Sequence, residues 1–408
     1  MKYTYLILIA IACFGCTSTQ KPSGQDTPEA QLPYIIDLSD VEYSESPQLL
    51  SDFVESIEYI KLSEEPLIPD IFTTYLAGDN KGNIYVDAIG DIYKYDSTGA
   101  YIKSLFKKGQ GPDEVAQKIG RSVFNIDKNY VLVNDYGKVD YCKFTLDGIF
   151  TGMERKRTGL VSKDIFAFWK NTELYRYINN APYEHYSEIN RDSLFFFTVR
   201  DLSSDSVILK LRNYHFDIKG KVIGGYAISP CAPAYRGVIN DSLLWIKPSN
   251  VDTVFCTTDW KDLRPLYIIK QPKNAADYAW QTIFEAGSDN YSTNEYLNKM
   301  RLLGICALKN GLLYYYYQNM EKSGIGFCSA NGRGNTFSQL FKNDVDKYCP
   351  SIDFSNLIYH GTSFQKNGYL YLLVDAFKFF EEGAKSPFPD LTEDSNPVVV
   401  KLKLKGRK

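Results

Sequence analysis

Six times the chain leaves a turn and enters a strand-like run: GNIYVD from Gly82, KNYVLV from Lys128, NTELYRY from Asn171, DSLLWI from Asp241, NGLLYYY from Asn310 and NGYLYLL from Asn367. Recurrence of one supersecondary unit narrows the fold more than any other feature, because a lone twisted sheet cannot bury both of its faces while stacked copies can. The starts lie 46, 43, 70, 69 and 57 residues apart, so some units carry insertions. A body from Phe53 to Lys408 divided by six allows about 59 residues per unit, enough for a four-stranded blade with its loops. Aromatic residues make up 15% of the chain and charged residues 23%, a balance suited to half-buried pleated surface.

The turns repeat as well. Asp96-Ser97-Thr98-Gly99 and Thr145-Leu146-Asp147-Gly148 each place glycine where a positive φ closes a hairpin. FVESIEYIKL, from Phe53, and PVVVKLKLK, from Pro397, are both strand-like, so the two ends are expected to complete one blade and close a ring without exposed edges. The predicted fold is an all-β six-bladed β-propeller over residues 34–408. One stretch departs from it. Asn274 to Gly304 carries an N-cap at Asn274, then Ser292 and Glu295 in capping-box spacing ahead of Tyr296, Leu297, Met300 and Leu303, which predicts a short helical insertion of two helices over about 274–304.

The units GNIYVD, DIYKYDSTGAYI and KKGQGPDE resemble the NHL-like six-bladed β-propeller lipoproteins of Gram-negative bacteria, most strongly over Gly78 to Phe150. That resemblance implies a propeller in the cell envelope and names no substrate. The amino terminus agrees. Lys2, the apolar stretch Leu6 to Ala12 and the pair Gly15-Cys16 have the layout of a short secretory signal. They resemble a bacterial lipoprotein signal, which implies cleavage after residue 15 and lipid on Cys16. Residues 16–33 are polar and bear Pro, Gly and Ser, as a flexible tether does. The expected location is therefore lipid-anchored in the envelope, at an outer membrane facing the periplasm.

Charge and motifs exclude more than they include. A formal net charge of -3 offers no excess to neutralise a phosphate backbone, so no nucleic-acid partner is expected. Cys142, Cys231, Cys256, Cys306, Cys328 and Cys349 are too widely spaced for a zinc or redox pair, and spacing assigns no disulfide among them. His185, His215 and His360 show no helical metal spacing, and no Gly-x-Ser-x-Gly elbow is present. Gly109-x-Gly111 runs into Pro112, Asp113 and Glu114, which would repel phosphate, so a rigid turn is expected there. The run Tyr314 to Tyr317 is expected in the core, since alternate strand residues face opposite blades. No catalytic residue, metal ligand or cofactor is predicted. Asp87, Asp91, Asp135, Asp140 and Asp252 fall near strand ends or turns, where convergence at the axis would suit a carboxylate or calcium centre of a hydrolase or lyase. The favoured expectation is a non-catalytic binding or scaffold propeller whose partner is a protein, peptide or glycan.

Overall fold

The computed structural model describes residues 32–69, 71–155, 161–179, 195–212, 222–223, 226–227, 235–248, 251–273, 275, 300–318, 321–359 and 364–406. They belong to the unit Leu32–Lys408. The expected signal, the expected lipidation site Cys16 and most of the expected tether lie outside the described residues, as do Cys231 and all three histidines.

Each of the six openings starts the second strand of a sheet. In chain order the sheets cover residues 75–104, 123–154, 161–212, 235–270, 301–329 and 364–404, and neighbouring strands within each are antiparallel. The turns before those second strands are tight, and Gly82, Asn129 and Asn367 hold the positive φ they need. Gly99 and Gly148 do the same in the later turns, with φ of +89° and +79°. A Cβ on Gly99 would also lie 2.1 Å from the carbonyl oxygen of Lys61. Glycine there lets the first sheet's turn sit against the strand that ends the sixth.

The ring is legible in the core. Val399 and Leu373 of the sixth sheet pack with Val86 and Tyr95 of the first, and Tyr85 and Ile92 with Val131 and Phe144 of the second. Leu132 meets Tyr175 of the third; Leu174 and Phe197 meet Ile246 of the fourth; Trp245 and Tyr267 meet Tyr314 of the fifth. Leu313 and Ile325 of the fifth share one cluster with Leu370 and Val400 of the sixth. The ends complete one blade as expected: Val54–Lys61 pairs antiparallel with Val398–Leu404 over its whole length.

The count of six is corrected to seven. A further three-stranded sheet joins Gln48–Leu49, Phe341–Lys342 and Ser351–Ile352, and its Phe341 and Ile352 enter the core between the fifth and sixth sheets. Its strands are two residues each and come from distant parts of the chain, so no periodic signal marks them. The expected helical insertion is corrected in part. Residues 274 and 276–299 lie outside the described residues, but Leu303 and Gly304 belong to the strand Arg301–Ala307, not to a helix. Pairing with Gly311–Tyr317 decides the matter, since spacing that suits a helix also suits a strand buried on both faces. The described α-helix is Ser355–Tyr359. No helix among the described residues is long and apolar enough to cross a membrane.

The amino-terminal segment acts as a strap. Tyr34–Asp37 adds in parallel to the outer strand of the fourth sheet, Glu42–Tyr43 pairs with Thr336–Phe337, and Gln48–Leu49 joins the seventh sheet before Val54–Lys61 enters the sixth. These pairings cover edges that would otherwise face solvent.

Candidate functional site: the loop-rich face

Antiparallel order sorts the loops by face. Connections from second to third strand, and from one sheet to the next, leave on one face; the remaining turns leave on the other. The second set is short, as in 79–83, 96–100, 126–129, 240–242 and 367–368. The first set holds the long connections 62–74, 105–122 and 375–397. Loops held by a rigid scaffold are where binding residues gather.

On this face, between the first and second sheets, charges are buried together. Asp87 sits on a strand buried throughout, Ile84–Ala88. Its carboxylate accepts from Lys118 Nζ at 2.8 Å, Ser122 N at 2.7 Å and Ser122 Oγ at 3.1 Å. Lys118 Nζ also donates to the carbonyls of Ala88 and Gly120. Beside them Arg121 lies over the ring of Tyr75, 4.9 Å from its centroid. Arg121 Nη1 is buried and has no hydrogen-bond partner among the described residues. Arg121 and Lys118 both act on Asp87, and Lys118 also acts on the buried Asp91 nearby.

The other acids are committed locally. Asp91 accepts from Ile92 N, and burial raises its carboxyl above the usual range, with Lys108 at 3.8 Å. Burial would raise Asp135 too, but the amides of Ala116, Gln117 and Gly137 hold it below the ordinary value. Asp252 accepts from Gln271 Nε2, and Asp140 is half-buried. Among the described residues no three His, Cys, Asp or Glu side chains stand where they could hold a metal ion. On the fourth sheet burial pushes the Lys247 ammonium down to about 8, with Asp252 opposing.

The glycine loop is a turn closed on its own acid: Glu114 Oε2 accepts from Gly111 N, and a Cβ on Gly109 would lie 1.9 Å from that same oxygen. Tyr314 and Tyr316 are fully buried, and Tyr315 and Tyr317 partly so. Cys142, Cys256, Cys306, Cys328 and Cys349 are buried, and burial pushes the Cys328 and Cys349 thiols up to about 12. KIGRS, residues 118–122, carries no pattern that separates a buried ion cluster from a solvated loop, so the sequence alone does not point to Lys118, Arg121 or Ser122.

No family model matches the chain, and no curated protein does. Solved structures do. A Bacteroides fragilis protein named as exported aligns with a TM-score of 0.59 at 13% identity, covering 91% of this chain and 99% of its own. A DUF4221 family member from Bacteroides vulgatus aligns with a TM-score of 0.47 at 13% identity, covering 86% and 97%. A virginiamycin B lyase from Staphylococcus aureus gives 0.36 at 10% identity, covering 86% and 99%. The last two scores are too low to carry an argument. At its low identity the first likeness shows the fold alone: this chain is a β-propeller.

Proposed function

We propose that this chain is an exported, lipid-anchored, non-catalytic propeller that binds a protein partner through its loop-rich face. One observation carries the binding role. Large apolar side chains stand exposed in the connections of that face on three consecutive sheets: Phe377 and Phe380 on the sixth, Ile89 on the first, Tyr136 and Val139 on the second, with Phe72 in the connection leading to the first. Tyr136 and Val139 are 75% and 76% exposed. Scattered singly such residues need no explanation, as with Ile149 on the opposite face, but six of them in the connections of one face mark it as the candidate interaction surface. Aliphatic groups favour a protein over a glycan, whose surface is dominated by hydroxyls. Export and anchoring draw support from the Gly15-Cys16 signal and from the exported Bacteroides protein of the same fold.

Two tests follow. Tyr136→Ser with Val139→Ser should change stability by no more than about 0.5 kcal/mol, because both are surface positions. Partner affinity, read by chemical cross-linking in the native envelope, should fall about 30-fold, the effect of about 2 kcal/mol at a buried aromatic anchor. Undiminished cross-linking of the double variant would remove the face assignment. Cys16→Ser should abolish incorporation of an alkyne-tagged fatty acid and release the protein from membranes. If the variant stays labelled and sedimenting, the anchor is elsewhere.

A further inference from the structure

Arg121 has a role that the fold does not account for. Its nearest carboxylate, Asp87, is already met by one ammonium, one amide and one hydroxyl, and no carboxylate lies within ion-pair distance of the guanidinium among the described residues. A guanidinium presents five donors in a planar fork matched to a carboxylate, and a buried donor left without a partner is destabilising. A cation placed only for structure would be expected to pair, as Lys118 beside it does. Arg121 instead keeps partial contact with solvent while its Nη1 is turned inward. The Tyr75 ring under the Arg121 guanidinium also lines a small cleft with Thr74, Asp353, Leu357, Phe364 and Tyr371. The cleft and the Arg121 cation thus share the Tyr75 ring, on the same face as the exposed apolar groups.

We infer that Arg121, stacked on Tyr75, is the receptor for a carboxylate of the protein partner, an acidic side chain or a chain terminus. The source of the carboxylate rests on the proposed function; the anion site itself does not. Asp353 is the one acid lining the cleft, and both its oxygens accept from Ser355, the amide at 2.7 Å and the hydroxyl at 2.8 Å. Its charge opposes the ligand, so Asp353→Asn should tighten binding while keeping an acceptor for Ser355.

The test needs no partner. The full-length protein is titrated with sodium acetate at constant ionic strength against chloride, and the thermal midpoint is followed. A ligand held only by the native state raises that midpoint saturably, by an amount set by its concentration over Kd. The wild type should show the rise, Asp353→Asn should reach half-effect at lower acetate, and Arg121→Gln should show none. A rise of equal size in Arg121→Gln, no rise in the wild type, or an equal response to chloride each overturns the site. Should Arg121→Gln fail to fold, the 13Cζ resonance of Arg121 in wild-type protein is followed through the same titration: movement with acetate supports the site, and a fixed resonance refutes it. Partner cross-linking that is lost in the Tyr136 and Val139 variant while acetate binding persists would separate the two claims.

Discussion

A chain ending at Asn396 is expected to lose its cooperative unfolding transition. The deletion removes Val398–Leu404, hydrogen-bonded on one side to Tyr369–Val374 and on the other to Val54–Lys61. Val398, Val399, Val400 and Leu402 are fully buried. At about 1.5 to 3 kcal/mol for each such side chain, the four contribute about 6 to 12 kcal/mol. That matches the whole stability of an ordinary domain, about 5 to 15 kcal/mol. Loss of one strand also bares two edges inside the ring, an invitation to aggregation. Urea unfolding followed by circular dichroism should show no sigmoidal transition, and a peptide spanning 397–408 added in trans should restore part of it. A truncated chain that unfolds near the wild-type midpoint would show that the ring does not depend on this closure.

Asp87→Ala carries the second large effect. The side chains of Asp87 and Lys118 are 1% and 2% exposed, and removing one partner leaves the other charge buried and uncompensated. Breaking such a pair costs about 3 to 5 kcal/mol, whereas replacing both members with apolar groups of similar size is often neutral. Asp87→Leu with Lys118→Met should therefore recover most of what Asp87→Ala loses. Lys403→Ala is the contrast. Its pair with Glu55 is 44% and 54% exposed and should contribute at most about 1 kcal/mol. Denaturant midpoints across the four proteins decide it. If Asp87→Ala costs no more than Lys403→Ala, the buried cluster does not hold the first and second sheets together.

Much of the propeller is legible in the chain because its signals are local. A positive-φ residue in each of several tight turns, followed by an alternating apolar run, locates the second strand of six sheets, and the apolar character of both ends anticipates the closing blade. What the sequence hides is non-local. The strap from Tyr34 to Leu49 pairs residue by residue with chain more than 200 positions away, and its two-residue strands carry no period of their own. The stretch around Leu303 misleads for a related reason: Leu303 suits a helix stripe with Met300, yet the pairing of Leu302 and Gly304 on either side of it with Tyr316 and Tyr315 places it at a bulge in a sheet. For the candidate site the aspartates were visible and the cations were not. Asp87 stands in a buried strand, where a charge invites explanation, while Lys118 and Arg121 sit in a polar loop that resembles solvated surface until the fold turns it inward.

The most direct measurement of the central claim is site-specific photo-crosslinking in the native envelope, with the reactive side chain placed at position 136 on the loop-rich face or at exposed position 97 on the opposite, short-turn face. The account predicts one dominant protein adduct from position 136 and none from position 97. The same adduct from both positions, or from position 97 alone, would contradict it.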